Sequence, residues 1–416
     1  MLELLTRLGY TLSLSKCSLV PETCKKFLGF YVDSVRQAFI LPDDKKLKFT
    51  ELRDSILSSK MVDLKTLQRF CGKCISMSIA VPGCKLFCRE VNSAISLAIR
   101  NSRLVSVTGA LKEELEYWRF LDNWSGFSEW RPEFHNRVDM STDSSGYRYG
   151  ALVHAGKEKI VLSDYWGDFD ERPIHVKEAD AILKSLQALR EVLLNSRVDV
   201  LCDNTAVVCA WNNQGCKCPA LNKVLKAIFH CVVDQNIDLH LSYISSCQNV
   251  ADEPSRQLNF ADTMLSASSW LKVEERFGPH SVDLMSLDSN VMVSKEGEPL
   301  RHFTPWPTPG TSGVNLFSQD LTKEDNLYVF PPLVLVFPLL CFLEEQKVSC
   351  TVVVPELYPV PVWWPKLKGA SVDYFCIGRK GEKGVVKVPS KQGFILDGIG
   401  LRWSLFVFRV SFCPLK

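Results

Sequence analysis

STDSSGYRYGALV, residues 141 to 153, sets Asp143 at the end of one apolar run, follows it with a polar turn, and opens a second apolar run. The preceding Arg137-Val-Asp-Met and the following Gly146 place the Asp143 carboxylate at a strand edge rather than inside a core. Three more acids fall on predicted elements around it. Glu178 lies in HVKEADAILKSLQAL, Asp203 closes VDVLCD, and Asp252 opens a helix in NVADEPSR. Periodicity predicts strands over 137–143, 147–154 and 159–165, a helix over 176–194, a strand over 198–202, helices over 204–213 and 219–234, a strand over 238–244, and a last helix from 249. Ile182, Leu186, Leu189 and Leu193 form one stripe on the 176–194 helix, and Gln214-Gly215 ends the helix after Asp203. The fold class is therefore α/β in the mixed sense, a mixed sheet with helices on both faces.

This order resembles the ribonuclease H fold, in which four carboxylates from two strands and two helices meet over a central sheet. It is most similar to the RNase H domain of DIRS-like retroelements of the tyrosine-recombinase type. The resemblance implies an RNase H-type endonuclease over 137–277, hydrolysing the RNA strand of an RNA:DNA hybrid with two Mg2+ ions, or Mn2+ in their place. By the same resemblance Asp143 bridges both ions, Glu178 and Asp203 complete the first, and Asp252 completes the second. The chemistry suits the residues. Phosphodiester hydrolysis needs an activated water on one side and a stabilised 3′ oxygen on the other, and two cations about 4 Å apart serve both. Magnesium prefers hard oxygen ligands, so carboxylates rather than His or Cys form such a site. Crowded carboxylates raise one another's pKa until a cation relieves them. Taken singly, Asp203 reads equally as a helix N-cap, Glu178 as a surface residue in the first turn of its helix, and Asp252 with Glu253 as helix-start acids. Their joint order, spaced by 35, 25 and 49 residues, is the specific signal. Two other readings stay open: a non-catalytic remnant that binds nucleic acid or a partner, and a DNA nuclease on the same fold. Ser245-Ser246-Cys247-Gln248 stands where many RNase H domains carry a histidine or glycine ahead of the last aspartate.

Upstream, GYTLSLSKCSLVPETCKKFLGF resembles the end of a reverse transcriptase palm, with Lys16 at the position of the palm lysine and Leu28-Gly29-Phe30 as the primer-side turn. This assigns 1–60 to a palm end without its catalytic acids, 61–105 to thumb-like helices broken at Pro82-Gly83, and 106–136 to a connection that docks thumb to nuclease. The early acid pair Asp43-Asp44 follows Pro42 in a loop, so no polymerase activity is expected from this chain alone. Lys65, Arg69, Lys73, Lys85 and Arg89 recur at spacings of four and form a face suited to a phosphate backbone, although a plain solvated face gives the same spacing. Cys71, Cys74, Cys84 and Cys88 invite a zinc site, but all four fall where the helical pattern wants small apolar residues.

Residues 278–416 contain a Pro- and Gly-rich loop at 302–313, then a helix feeding the strand Cys350 to Val354. The arrangement resembles a degenerate methyltransferase-like α/β domain of DIRS-like elements, whose motif is Asn or Asp, Pro-Pro, then an aromatic. Here the residues are Phe330-Pro331-Pro332-Leu333, and no glycine-rich turn is present for a methyl donor, so no methyl transfer is expected. Trp363-Trp364 beside two prolines read as a packed corner, and the last residues alternate like edge strands.

With 46% hydrophobic and 23% charged residues among 416, the composition is that of a globular protein of two to four domains. Net charge is only +2, but residues 1–105 hold 17 Lys and Arg against 9 Asp and Glu, whereas 137–277 hold 15 against 19. A basic arm thus precedes an acidic, metal-seeking centre. Sixteen scattered cysteines and the lack of a leader pattern point to a reducing intracellular compartment, cytoplasmic or nuclear. The apolar run at 329–343 carries Pro331, Pro332 and Pro338 and is too short and broken to span a membrane. The expected partners are an RNA:DNA hybrid and an intact retroelement polymerase acting in trans, with no membrane.

Overall fold

A computed structural model describes residues 2–13, 20–100, 104–124, 127–130 and 136–412, and Lys16 lies outside them. The chain forms two compact units, Met1–Glu133 and Phe134–Lys416.

In the first unit, Cys24–Phe27 and Phe30–Asp33 pair antiparallel across Leu28 and Gly29. Both turn residues have positive φ, 47° and 85°, as a tight hairpin turn demands. Ala38–Ile40 continues this sheet, and Phe127–Glu129 closes it. Asp43 and Asp44 are not in a loop. They start the helix Asp43–Leu57, and their carboxylates sit in its first turn, where the helix dipole favours negative charge. The core is aromatic. Phe49 stacks on Phe70 at 5.0 Å, and Trp118 meets Phe49 edge-on at 5.1 Å. Arg53, buried beneath them, makes a bidentate pair with Asp122 at 2.9 and 3.1 Å and donates to the Trp118 carbonyl. The 106–130 stretch therefore supplies core and a strand to the first unit, although its aromatic composition reads as a connection.

In the second unit the strands β1 (Asn136–Ser144), β2 (Arg148–Ala155), β3 (Glu158–Tyr165), β4 (Ser196–Cys202) and β5 (Asp238–Tyr243) form a sheet of order β5-β4-β1-β2-β3. β1 runs antiparallel to β2 and parallel to β4, β3 is antiparallel to β2, and β5 is parallel to β4. Around it stand the helices α1 (Ile174–Ala188), α2 (Thr205–Asn212), α3 (Pro219–Asp234) and the short α4 (Asp252–Arg256). This is the mixed α/β order that the periodicity predicts. α1 ends at Ala188, six residues before the pattern predicts, while Leu189 and Leu193 stay buried as the chain passes into turns. Burial, not helical geometry, is what their spacing records.

A second sheet follows from β6 (Met264–Leu265) and α5 (Ala267–Phe277). Its strands are β7 (Val282–Asp283), β8 (Arg301–Thr304), β9 (Gly313–Val314), β10 (Leu327–Val329), β11 (Ser349–Pro355), β12 (Ser371–Gly378) and, after the hairpin β13 (Val386–Ser390) and β14 (Gly393–Leu396), β15 (Leu405–Ser411). The order is β9-β8-β7-β10-β11-β15-β12; the first five are parallel and β15 is antiparallel to both its neighbours. The C-terminal alternation predicts an edge, but β15 is interior: Leu405, Val407, Phe408 and Val410 are buried on both faces. Trp363 packs beside Trp364, which meets Phe408 edge-on, so the tryptophan pair forms a corner. The two sheets are joined by specific contacts. Trp306 Nε1 donates to the Ser163 carbonyl at 2.8 Å, Asn290 Nδ2 to the Asp262 carbonyl at 2.7 Å, and Tyr165 meets Phe394 edge-on. Among the described residues no helix is long and apolar enough to cross a membrane.

Candidate active site

The carboxyl ends of β1 and β4 lie side by side because these strands are parallel neighbours, and an acid stands at or just beyond each end. Asp143, next to last on β1, is buried, and the Ser255 hydroxyl of α4 donates to its Oδ2. Burial pushes its carboxyl up, with Asp203 and Asp252 adding repulsion, while the Ser255 bond and Arg256 pull it down. Glu178 is the fifth residue of α1 and only 3% exposed, not a first-turn surface residue. Its Oε1 accepts the Ser144 N–H at 3.2 Å, which ties α1 to the end of β1. Burial, then Asp143 and Asp203, raise its carboxyl to about 9. Asp203 directly follows β4, and its Oδ2 accepts the Ser246 hydroxyl at 2.6 Å. The neighbouring Asn204 is the actual N-cap of α2, accepting from the Ala206 and Val207 amides, so Asp203 is not needed for capping.

A glycine positions the fourth acid. Gly150 of β2 faces Asp143 across the strand pair, and a Cβ there would stand 2.5 Å from the Ser255 nitrogen. α4 therefore lies directly on β2, which delivers Ser255 to Asp143 and holds Asp252 within electrostatic reach of it. The Asn249 side chain fixes the approach by donating to the Thr142 carbonyl at 2.9 Å. Asp252, half-buried like Asp203, is held by Arg256, whose Nε and Nη2 reach Oδ1 at 2.7 and 2.6 Å.

The tightest group comprises Glu178, Asp203 and Cys202, whose ligand atoms all lie within 4.8 Å of one another. The Cys202 thiol points at Glu178 Oε2 at 3.9 Å, and burial followed by the Glu178 charge pushes it up to about 12. It is a thiol at neutral pH, so the available donors are carboxylate oxygens, which fit a hard divalent cation. Cys202, Ser255 and Arg256 carry no signal beyond their position beside the acids, and sequence reasoning misses them. Gly150, a glycine inside a strand, is the one recognisable cue.

The basic residues lie in the first unit. Lys65, Arg69 and Lys73 line the helix Leu64–Ser76, Lys85 precedes the turn Leu86–Cys88, and Arg89 begins the helix Arg89–Arg100; Lys65, Arg69 and Lys85 are exposed. Cys74, Cys84 and Cys88 are fully buried and Cys71 is half-buried, and each thiol is pushed up from its ordinary value.

No family model matches this chain, and no curated protein does. Solved structures that resemble it include LC11-RNase H1 in complex with an RNA/DNA hybrid, 22% identical over 28% of this chain and 92% of that chain, with a TM-score of 0.26. RNase H1 from the halophilic archaeon Halobacterium salinarum is 15% identical, covering 28% of this chain and 92% of that chain at a TM-score of 0.25. The foamy viral protease-reverse transcriptase in complex with double-stranded DNA is 18% identical over 59% of this chain at a TM-score of 0.28; the chain spans 49% of its length.

Proposed function

We propose that the first part of the second unit is a cation-dependent RNase H-type endonuclease that hydrolyses the RNA strand of an RNA:DNA hybrid. The observation that carries this reading is the convergence of Glu178 and Asp203 beside Asp143, with Glu178 held at about 9 by burial and its acidic neighbours. Buried acids that repel one another persist where a cation compensates them, and such perturbed groups mark functional sites. Asp143, Glu178, Asp203 and Asp252 would hold two Mg2+ ions, or Mn2+ in their place, which supply a more acidic water and charge stabilisation at the departing oxygen. The chain's own work is positional. The Ser144 amide, the Ser246 hydroxyl and the Ser255 hydroxyl fix the oxygens of Glu178, Asp203 and Asp143. Arg256 holds Asp252 in place and tempers the charge on Asp143.

The wider reading is a retroelement reverse transcriptase fragment of DIRS-like type: a palm end, a thumb carrying the basic face, the nuclease, and a degenerate methyltransferase-like sheet, working inside the cell beside an intact polymerase. Primer extension by the purified chain is expected to fail, since the only early acid pair sits in the first turn of a helix.

One observation favours a second reading. Arg256 already neutralises Asp252, as a guanidinium would in a remnant that binds nucleic acid without cutting it. Labelled hybrid, single-stranded RNA and duplex DNA, each incubated with the chain and magnesium, separate these readings. Hybrid-only cutting supports the nuclease, duplex cutting a DNA nuclease on the same fold, and binding without cutting the remnant.

A further inference from the structure

His175, Cys216 and Cys218 gather where the first turn of α1 meets the loop joining α2 to α3, and none of them belongs to the four acids. The Cys218 Sγ lies 3.5 Å from His175 Nε2. The Cys216 Sγ curls back over Cys218, accepting its N–H at 3.3 Å and donating to its carbonyl at 3.6 Å. Both sulfurs thus flank the backbone of Cys218, and all three side chains are half-buried, open enough for an ion to enter.

The loop is built to hold them. Gln214 and Gly215 take positive φ, 53° and 112°, and the Gly215 amide closes on the Ala210 carbonyl at 2.6 Å. The buried Asn222 side chain clamps the Cys216 backbone, accepting its N–H at 2.8 Å and donating to its carbonyl at 2.9 Å. Cys218 is the N-cap residue of α3, yet its thiol makes no capping hydrogen bond and meets the imidazole of α1 instead. A clamped loop and a helix-borne imidazole keep the ordering cost of binding low.

The donors define the ion. Two thiols and an imidazole are soft or borderline ligands, which favour Zn2+ over Mg2+. Zn–S and Zn–N bonds of about 2.3 and 2.0–2.1 Å at a tetrahedral angle put sulfur and nitrogen about 3.5 Å apart, as Cys218 and His175 stand. Among the described residues only Glu178, Cys202 and Asp203 already hold three ligand atoms within 4.8 Å of one another. Here two atoms are placed, and a turn of Cys216 about its Cα–Cβ bond brings the third. Each thiol gives its proton to solvent on binding, and water fills the fourth position.

From this geometry we infer that His175, Cys216 and Cys218 bind one Zn2+ ion, which clips the α2–α3 loop to α1 three residues before Glu178. The inference goes beyond the nuclease reading and does not depend on it, since none of the four acids is a ligand.

The test uses the full chain, reduced, stripped of metal and held in excess magnesium so that the acids do not take the probe. Zn2+ is titrated against a chromophoric chelator, and Co2+ reports the ligands, since a bound thiolate gives a charge-transfer band that oxygen ligands do not. Co2+ should give that band and Zn2+ should remove it. His175→Gln and Cys218→Ser should each weaken Zn2+ binding at least about tenfold. Cys216→Ser with Cys218→Ser should abolish the band, whereas Cys71→Ser and Cys202→Ser, which probe the other places where thiols gather, should leave it unchanged. No thiolate band, a band that survives the double variant, or one lost in Cys71→Ser or Cys202→Ser would overturn the inference. Should the cysteine variants fold poorly, His175→Gln carries the test, with weaker Zn2+ binding expected and unchanged binding contradicting the assignment.

Discussion

Gly150 lies directly across the β1–β2 pair from Asp143, and the space where its side chain would be is occupied by the backbone of Ser255, 2.5 Å from an ideal Cβ. A single missing methyl thus lets α4 rest on the sheet and brings Ser255 and Asp252 to Asp143. Gly150→Ala should cost about 1–3 kcal/mol by overpacking and lift α4 away. Gly146→Ala, with nothing within 4 Å, is the matched control. Thermal melts and magnesium-dependent cleavage of the two variants check this: loss of activity in Gly150→Ala with Gly146→Ala near wild type is expected.

Glu178 stands at about 9, so at neutral pH the metal-free native state binds a proton that the unfolded chain has released. Its stability contribution falls as pH rises from its ordinary value towards 9, and a cation reverses the penalty by ligand linkage. Glu178→Gln should therefore melt higher than wild type without metal at mildly alkaline pH, show a reduced magnesium-induced rise, and lose cleavage. Melting curves with magnesium and with chelator check all three.

Legibility followed the kind of signal each element carries. β1, β2 and β3 are long enough for alternation to show, so Asp143 could be placed at a strand end. α1 could be placed but not terminated, because Leu189 and Leu193 remain buried after the helical ladder stops. Most of the second sheet was illegible. β7 and β9 are two residues each, too short for any period, and they are defined by pairing with distant strands. The Arg256 grip on Asp252 and the Cys202 thiol beside Glu178 are likewise tertiary facts that no local pattern announces.

Asp164 of β3 is wholly buried where the two sheets meet, accepting from the Ser289 hydroxyl and its neighbour's amide, and burial raises its carboxyl to about 7. A raised carboxyl favours the native state at low pH and loses that contribution as pH rises through the folded value. Between about pH 4 and pH 7 this group should withdraw up to about 4 kcal/mol. Asp164→Asn should flatten that decline. Denaturant titrations across the interval check it, and an unchanged slope would show that Asp164 does not titrate there.

The basic face makes a prediction independent of chemistry. If Lys65, Arg69, Lys73, Lys85 and Arg89 track a phosphate backbone, neutralising them should weaken hybrid binding and flatten its salt dependence, by a slope of up to about 0.9 for each duplex phosphate that no longer meets a cation. Binding isotherms over a range of salt check this. An unchanged slope would make the five residues a solvated face.

The central claim is that Asp143, Glu178, Asp203 and Asp252 form a cation-dependent nuclease site for hybrids. The most direct test is cleavage of a labelled RNA:DNA hybrid by the full chain in magnesium, beside the Asp143→Asn variant and a chelated control. The account predicts cutting of the RNA strand by wild type alone, with Asp143→Asn folded, binding and inert. Equal cutting by Asp143→Asn, or no cutting by wild-type protein that binds the hybrid and magnesium, would contradict it.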